Sequence, residues 1–523
     1  MNRVISKANR KTSVGVAAFL ISASFFASRL LGLLRDRLLA AHFGIGPMLD
    51  AYTSAFSVPD LLFTLLVSGA FAVAFIPVLT EHLSKEEQAE AWEVSSILLN
   101  LLMILTLGVG VLCFIFTSPL VKIIAPGFDP YRHNLTVNLT RIMLITPFFF
   151  AVSSVIGGIQ QAVDRFFFYA IASVFYNVGI IFGIVFLSQH YSIYGVAIGV
   201  VIGVILQTLI QFVGLFGVGF HYHFSLDLKN KSVVRVVKLI IPRILDQGID
   251  QINYIVERNI GSFLATGSLT AYYYANNLKN VPLSLFGAAI ATAAFPKMAN
   301  DAVNNKIENL IENFVINARL ILFLVIPSAT IAILMRGYIV RLLFGFGNAT
   351  TANILGWFAG VIIFQSLFLL VTRVFYSLHD SKTPLYTSIF AIAFNVLLSI
   401  YLAHRFGVVG LPMAQSIASI FETTLLIIIL KRKLGSVGGM AILRGVFRML
   451  IANTIMAGIV YLLVAKFLPL YRLDRGIMVV GPKFLLICLA AGLAYLLPSY
   501  ILRVREAKQF VGRVVGQLFG PLV

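Results

Sequence analysis

The first apolar stretch of the chain reads Val14-Gly-Val-Ala-Ala-Phe-Leu-Ile-Ser-Ala-Ser-Phe-Phe-Ala-Ser-Arg-Leu-Leu-Gly-Leu-Leu34, and Arg35-Asp36 follow directly. A run of about 20 apolar residues is long enough to cross a bilayer as a helix. Arg29 then lies in hydrocarbon, where a charge costs on the order of 3 kcal/mol or more. Arg29 and Asp36 share one helical face, next to Arg35. We expect this face to line a protein interior or a wet cavity, where cations suit an anionic cargo.

The composition indicates a membrane protein. Of the 523 residues, 59% are hydrophobic and only 12% are charged, whereas soluble domains carry roughly 25% charged residues. We therefore predict an all-α polytopic membrane protein with about fourteen transmembrane helices. The candidate spans lie near residues 14–34, 48–78, 93–116, 137–159, 167–187, 193–218, 234–262, 270–296, 309–333, 353–377, 385–403, 410–430, 441–466 and 481–502.

The net charge of +19 follows the loops and termini, and it does not indicate a nucleic-acid partner. Basic groups near residues 3–11, 229–238, 431–448 and 503–513 mark cytoplasmic regions by the positive-inside rule. An even number of spans with both termini in the cytoplasm agrees with this pattern. Basic rims of this kind also attract anionic phospholipids.

A weak internal repeat divides the chain. Ala51-Tyr52, Pro77, Arg165, Asn177 and Gly195 recur as Ala271-Tyr272, Pro296, Lys382, Asn395 and Gly410, at offsets between 215 and 220 residues. Each half then contains six spans, and an even number relates the halves by a pseudo-two-fold axis along the membrane normal. Two such lobes suit transport by alternating access.

The repeat predicts the domain organisation. Two further spans follow the second lobe, and a basic linker joins the lobes. The predicted bounds are 1–220 for the N-terminal six-helix lobe, 221–238 for the cytoplasmic linker running into the seventh helix, 234–432 for the C-terminal six-helix lobe, 441–503 for the two extra helices and 504–523 for a cytoplasmic tail.

The seventh span carries a polar stripe. Arg243, Asp246, Asp250, Tyr254 and Glu257 follow each other at steps of three or four residues, so they share one face over roughly 21 Å of helix. One interpretation is a salt-bridge ladder of Arg243 with Asp246 and Asp250 that fixes helix packing. The alternative is a cavity wall or a coupling-ion site, for which Glu257 is the better acid because it lies deeper in the span.

Other polar and small residues within the spans have structural and functional interpretations. Arg141 could line a cavity, and Arg165 lies at a span border. Asn177 is expected to hydrogen-bond between helices. The equivalent Asn395 could do the same or ligate a cation held by Glu257. The run Gly195, Gly199, Gly203 predicts close helix packing.

The sequence contains no enzyme motif. It has no phosphate-binding loop, catalytic serine motif or metal-ligand pattern, and Cys113 and Cys488 both lie inside apolar spans. We expect no cofactor. Transport would then run on a sodium or proton gradient, on the membrane potential or on the gradient of the cargo itself.

The motifs of the first two spans and of the eighth span resemble those of the MurJ (MviN) lipid II flippases, within the multidrug/oligosaccharidyl-lipid/polysaccharide exporter superfamily. These motifs are Ser28-Arg-Leu-Leu-Gly-Leu-Leu-Arg-Asp36, Asp50-Ala-Tyr52, Val58-Pro-Asp-Leu-Leu62, Ser68-Gly-Ala-Phe-Ala-Val-Ala-Phe-Ile-Pro77, Ser262-Phe-Leu-Ala-Thr-Gly-Ser-Leu-Thr-Ala-Tyr-Tyr-Tyr-Ala275 and Val281-Pro-Leu-Ser-Leu-Phe-Gly287. The resemblance covers nearly the whole chain. It implies a bacterial inner-membrane protein that moves an undecaprenyl-diphosphate-linked peptidoglycan precursor to the outer leaflet and takes part in cell-wall synthesis.

The resemblance also implies site residues. Arg29 and Arg35 match cavity arginines that bind the diphosphate and sugar headgroup, and Asp36 and Asp50 match acidic positions beside them. Guanidinium groups suit phosphate because they can bind it bidentately. Glu257 and Asn395 lie near a sodium site of some members. The candidate substrate-binding residues are Arg29, Arg35, Asp36, Asp50, Arg141, Arg243, Asp246 and Asp250.

The chain departs from the family pattern at four positions. Thr64 stands where the family usually has Arg, Ser68 where it has Glu, and Asn276-Asn277 where it has Asp-Arg. Lys279 follows two residues later, on a different helical face. The cavity therefore recognises its cargo differently, the cargo is another polyprenyl-diphosphate oligosaccharide or amphiphile, or the protein is a non-transporting partner in cell-wall assembly.

Overall fold

The computed structural model describes residues 14–67, 70–345, 347–471, 473–474 and 476–510, with the side chains of 14, 15, 17, 18, 70–73, 242–247, 249 and 250 outside the description. Ser68 lies outside the described residues. No β-strand occurs within the described ranges, and nearly all of them are helical. The predicted all-α membrane fold is confirmed.

Ten helical stretches of the described residues are long and apolar enough to cross a membrane. One of them, Lys382–Leu434, has 53 residues and contains two helices. The exact number of fourteen spans is not confirmed by this count.

The chain forms two compact units, Met1–Thr270 and Ala271–Val523. This division does not test the domain bounds inferred from the repeat, which stay a prediction. The helices of the first unit are α1 Val14–Phe43, α2 Pro47–Ala55, α3 Ser57–Leu66, α4 Ala70–Ser84, α5 Gln88–Ile115, α6 Thr117–Ile124, α7 Pro130–Met143, α8 Thr146–Ala162, α9 Phe167–Phe182, α10 Ser188–Tyr191, α11 Ile193–Val213 and α12 Lys231–Ser262. A π-helical turn, Gly183–Leu187, joins α9 to α10.

Helix α13, Ser268–Pro282, begins at the end of the first unit and continues into the second. The further helices of the second unit are α14 Ala289–Val303, α15 Ile307–Leu334, α16 Arg336–Phe344, α17 Ala349–Trp357, α18 Ala359–Ser377, α19 Lys382–Phe406, α20 Gly410–Leu434, α21 Gly439–Leu462 and α22 Ile477–Ile501. Short irregular helical turns at Leu283–Ala288, Gly407–Val409 and Leu463–Phe467 connect several of them.

Helix α11 packs against α9 and the π-helical turn that follows it through glycines. A Cβ atom on Gly199 would lie 2.6 Å from the Cα of Gly183, and one on Gly203 would lie 2.4 Å from the carbonyl oxygen of Tyr176. Real side chains do not tolerate such distances from backbone atoms. The glycine run therefore provides the close helix contact that its spacing predicts.

The second unit is closed by its last two helices. Buried side chains of α15, α21 and α22 form one apolar cluster that also contains Val504 and Ala507. Arg319 of α15 forms an ion pair with Glu506: its Nη2 donates a hydrogen bond at 3.0 Å, and its Nε lies 2.9 Å from the other carboxylate oxygen. This largely buried ion pair holds the segment after α22 against the unit.

The internal repeat is visible in the helix bounds. Helices α5 and α15 both have 28 residues and begin 219 residues apart, at Gln88 and Ile307. Helices α8 and α18 end 215 residues apart, at Ala162 and Ser377. The offsets match those in the sequence, and the repeat shortens by four residues between these points.

In both units a cation holds the loop that follows α8 or α18. The cation lies in the loop itself in the first unit and at the end of α20 in the second. In the first unit, Arg165 donates to the carbonyl oxygens of Phe216 and Gly217 at 3.0 and 2.6 Å. In the second, Lys433 donates to Asp380 at 2.7 Å. Burial raises the pKa of Asp380, but hydrogen bonds from Lys433 and from the following helix start bring it down to about 2.

The substitution Gly199→Ala tests the glycine contact. The new methyl group would force α9 and α11 apart, and overpacking of this kind costs about 1–3 kcal/mol. We expect a lower thermal unfolding midpoint for the purified protein in detergent. The control is Gly458→Ala on α21, where a Cβ meets nothing within 4 Å; an equal loss in both variants would contradict the contact.

Candidate functional site

Arg35 and Asp36 form an ion pair in α1. The Nη2 and Nε atoms of Arg35 donate to one carboxylate oxygen of Asp36 at 2.8 and 3.0 Å. Asp36 is only 3% exposed. Because a buried carboxylate is costly without a partner, the pair keeps the Arg35 guanidinium in a defined place.

Arg29 lies in the same helix with a different environment. It is exposed, whereas the preceding Ser28 faces α9. The amide of Asn177 donates to the Ser28 hydroxyl at 3.0 Å and to its carbonyl oxygen at 3.3 Å. Asn177 therefore hydrogen-bonds between helices as predicted, and this contact orients α1 around Arg29. Substrate contact by Arg29 and Arg35 stays a prediction.

Asp50 is buried and surrounded by donors. Its exposed fraction is 1%. It accepts hydrogen bonds from the backbone N–H of Gly267 at 2.6 Å, and from the N–H and hydroxyl of Thr270 at 2.9 and 2.7 Å. Since Thr270 belongs to the first turn of α13, the carboxylate fills the N-terminal end of that helix, where a negative charge is favoured by the helix dipole.

A cation also faces Asp50. Arg132 of α7 lies 3.8 Å from the carboxylate and also binds Asp129. The hydrogen bond from Arg132 lowers the pKa of Asp129. The Arg132 guanidinium stacks over the Phe128 ring at 4.7 Å. The described partners give Asp50 a role in positioning α13, while the predicted contact with substrate stays untested.

Arg132 and Thr270 were not among the residues predicted from the sequence. A signal for Thr270 exists, because Gly267-Ser268 before the apolar run is a typical helix start. Arg132 follows Asp129 by three residues in the first turn of α7, a spacing that favours an ion pair. Neither pattern reveals that both residues meet at Asp50, which is far away in sequence.

Three of the four positions at which the chain departs from the family pattern are described, and all three carry uncharged side chains. Thr64 of α3 accepts a hydrogen bond from Gln251 of α12 at 2.9 Å. Asn276 and Asn277 are half-buried on α13. The position that usually holds an arginine in the resembling family is thus part of a neutral contact between α3 and α12.

Lys279 does not lie in an open site. It is buried, it donates to Gln415 at 3.4 Å, and its ammonium group lies 4.6 Å from the centre of the Phe358 ring. Lys279 is buried and Asn277 is half-buried, which agrees with the prediction that they lie on different faces of the helix. Lys279 is a packing residue of the second unit.

The polar stripe of α12 is described in part. The side chains of Arg243, Asp246 and Asp250 lie outside the described residues, so the salt-bridge ladder and the cavity wall both remain predictions. Further along, Glu257 is buried and accepts a hydrogen bond from Asn253 at 3.1 Å.

Arg258, the residue after Glu257 on α12, connects two helices. It donates to the hydroxyl of Ser57 on α3, and it lies close enough to Asp60 to interact electrostatically. Asp60 is exposed and Arg258 is half-buried. A guanidinium is therefore held between α3 and α12 in addition to those of α1.

The remaining predicted residues lie apart from these groups. Arg141 is exposed on α7, with its guanidinium 5.3 Å from the centre of the Phe114 ring. Asn395 is buried in α19 of the second unit. In the part of the chain that the structure describes, no cluster of three or more His, Cys, Asp or Glu side chains is placed to hold a metal ion.

Comparison with known proteins identifies relatives over most of the chain. The family model for the lipid II flippase MurJ matches residues 39–479. A probable lipid II flippase MurJ of Bdellovibrio bacteriovorus is 29% identical over 514 residues, which cover 94% of this chain and 97% of that protein. One from Buchnera aphidicola is 29% identical over 413 residues, or 76% of this chain and 80% of the relative.

Solved structures show the same fold. A lipid II flippase MurJ in an inward closed conformation superposes with a TM-score of 0.78 at 25% identity, covering 94% of this chain and all of the other. A multidrug resistance transporter of the MATE family in an inward-facing conformation reaches a TM-score of 0.65 at 14% identity, with 79% of this chain and 96% of the other covered. The latter likeness concerns the fold alone.

The substitution Asp50→Asn tests the anchoring of α13. It removes the charge from three hydrogen bonds and from the contact with Arg132, and charge-assisted bonds contribute about 1.5–3 kcal/mol each. We expect unfolding to require at least about 2 kcal/mol less free energy, measured by denaturant titration in micelles. Exposed Glu312→Gln serves as the control; a comparable loss there would show that the effect is not specific to Asp50.

Proposed function

Because the chain belongs to the MurJ family of lipid II flippases, we propose that it moves lipid II, the undecaprenyl-diphosphate-linked peptidoglycan precursor, from the cytoplasmic to the outer leaflet of the bacterial inner membrane. The observation that carries this function is the family match over residues 39–479. The protein is a multi-pass transporter, with lipid II as its substrate.

The chemistry of α1 agrees with a diphosphate cargo. Arg29 is exposed, and Arg35 is held by a buried carboxylate. Two guanidinium groups on one helix offer planar pairs of donors that match phosphate oxygens. Asp36 acts through Arg35, since it fixes the orientation of that guanidinium before substrate arrives. Arg141, Arg243, Asp246 and Asp250 are further candidates for headgroup contact.

The transport cycle follows from the amphiphilic cargo. A charged headgroup cannot cross hydrocarbon unaided, so the protein must expose its polar site first to the cytoplasm and then to the outer side. The polyprenyl tail stays in lipid throughout. Both termini lie in the cytoplasm in this proposal. Anionic phospholipids at the basic rims and the cell-wall synthesis machinery are the expected partners.

The departures from the family pattern favour a second candidate cargo. Thr64 and Asn277 replace two of the arginines that the family resemblance leads us to expect, and Thr64 is engaged by Gln251. A site with fewer cations suits another polyprenyl-diphosphate oligosaccharide if its headgroup needs less charge compensation. If the protein has a non-transporting role in cell-wall assembly, substitution of Arg29 and Arg35 should be tolerated.

Lipid II flipping in bacterial cells depleted of their own flippase tests the function. We expect this protein to restore lipid II in the outer leaflet and the Arg35→Ala variant to lower flipping at least tenfold, since a charge-assisted contact contributes about 1.5–3 kcal/mol. Arg35→Lys should give an intermediate rate because it keeps the charge and loses the fork.

The matched control is Lys122→Ala, which removes an exposed cation from α6. It should flip as well as the parent. A correctly inserted parent that fails to rescue would exclude lipid II as the cargo. Full activity of an Arg29→Ala/Arg35→Ala double variant would exclude the role of α1 while leaving the function intact.

Ion coupling is tested through Glu257. We propose that this buried acid takes part in coupling to sodium or to protons, with Asn395 as a candidate partner. If sodium binds the folded protein, sodium chloride should raise the thermal midpoint above that in choline chloride, and Glu257→Gln should abolish the difference. Glu312→Gln should retain it. A midpoint and a flipping rate that respond to pH but not to sodium would indicate protons, and no response to either would exclude coupling at Glu257.

A further inference from the structure

Helix α5 carries polar side chains in a place where lipid would be expected. Ser96 and Asn100 are fully buried, although α5 is a candidate membrane span with a mean hydropathy of 2.6 and its far half is exposed. Ile104 and Leu107, one and two turns beyond Asn100, are about half exposed. Something must cover Ser96 and Asn100 but not the residues that follow.

The cover is the segment between α11 and α12, residues 220–229, which we call the linker strip. The hydroxyl of Tyr222 donates to the Asn100 carbonyl oxygen at 2.8 Å, and the Asn100 amide donates to the carbonyl oxygen of Ser225 at 2.9 Å. The backbone N–H of His223 donates to the Ser96 hydroxyl at 3.4 Å. Asn100 therefore has both halves of its amide satisfied by the strip.

Both ends of the strip lie near the start of α5, and its middle reaches Asn100. Phe220 packs edge-on against Trp92, with ring centres 5.6 Å apart, and Asn230 donates to Glu90 at 2.9 Å. Asn100 lies eight residues beyond Trp92, about 12 Å along the helix. The strip thus leaves the end of the span, follows α5 inward to Asn100 and comes back to Glu90.

A non-helical backbone at membrane depth is tolerated only where protein or water satisfies its polar groups. The strip meets this condition on the side of α5, through Ser96 and Asn100. The opposite side of the strip then faces the surroundings, because the strip covers this part of α5.

The sequence of the strip alternates between polar and apolar residues. From His221 to Lys229, every second residue is apolar. These apolar side chains are exposed by 50%, 71%, 41% and 56% at Tyr222, Phe224, Leu226 and Leu228 respectively. A loop in water would expose this much apolar area at a cost of about 25 cal/mol per Å².

We propose that the linker strip is a lipid-binding surface that lies in the cytoplasmic leaflet, with Phe224, Leu226 and Leu228 among the acyl chains and the intervening polar residues among the headgroups. The partly exposed ring of Tyr222 borders these side chains, while its hydroxyl stays on Asn100. Continuity with the exposed apolar face of α5 identifies the occupant as the bilayer. His221, His223 and Lys229 then lie where lipid phosphates are available.

Quenching of a fluorescent label tests this placement. Single cysteines are introduced at 223, 224, 226, 227, 228 and 229 in a variant whose Cys113 and Cys488 are replaced by Ala, labelled with an environment-sensitive dye and reconstituted in phosphatidylcholine/phosphatidylglycerol liposomes. We expect lipids with a nitroxide near the headgroup end of the acyl chain to quench 224, 226 and 228 at least twice as strongly as 223, 227 and 229. Aqueous iodide should give the reverse order.

Two controls calibrate the quenchers. A label at Ile104, exposed within the candidate span, reports the lipid limit, and one at Lys85, in an exposed turn before α5, reports the water limit. Labelled variants must keep the thermal midpoint of the cysteine-free protein. Iodide quenching at the Lys85 level throughout the strip, or protection from both quenchers, would overturn the proposal. The outcome is independent of cargo, so it stands or falls separately from the flippase function.

Discussion

A polar side chain in hydrocarbon must find its partner within the chain, and this constraint decides which helices of the protein meet. Asn177 ties α9 to the backbone of Ser28 in α1. Asp50 holds the first turn of α13. Asn100 draws a non-helical segment alongside α5. Apolar packing alone would allow these elements to slide or rotate, because lipid tails solvate apolar faces as well as neighbouring helices do. The polar contacts fix a single register.

The sequence predicted the contacts that depend on local spacing. Asn177 lies on one helix face, and the glycine run from Gly195 to Gly203 has the spacing of a helix contact; both were interpreted correctly. The hydrogen-bond partners of Asp50 were not predicted, because they lie 217 and 220 residues away and two of the three donors are backbone N–H groups. The contact of Asp50 with substrate stays a prediction. The helix start at Gly267-Ser268 can be recognised in the sequence, but the sequence does not show which distant carboxylate accepts hydrogen bonds from its free N–H groups. The linker was interpreted from its basic residues alone, and the alternation of polar and apolar residues between His221 and Lys229 was not considered.

The internal repeat preserves geometry more closely than residue type. Arg165 in the first unit binds carbonyl oxygens in the turn after α11, whereas in the second unit the cation is Lys433, at the end of α20, and the anion is Asp380 in the loop. Both arrangements fix the equivalent loop, since a cation can bind either backbone carbonyl oxygens or a carboxylate. Such exchanges explain why the repeat is faint in sequence and plain in the helix bounds.

The charge lost at Thr64 has a counterpart nearby. Helices α3 and α12 touch through Thr64 with Gln251, and through Ser57 with Arg258. Both pairs are separated by seven residues, about 10.5 Å along each helix, so they mark one antiparallel interface. The guanidinium of this interface therefore lies two turns closer to Ser262 than the position where the family pattern has its arginine. A diphosphate near Thr64 would still be attracted by the Arg258 guanidinium over about 10.5 Å in a poorly screened interior. It could not form hydrogen bonds with that guanidinium at the same time.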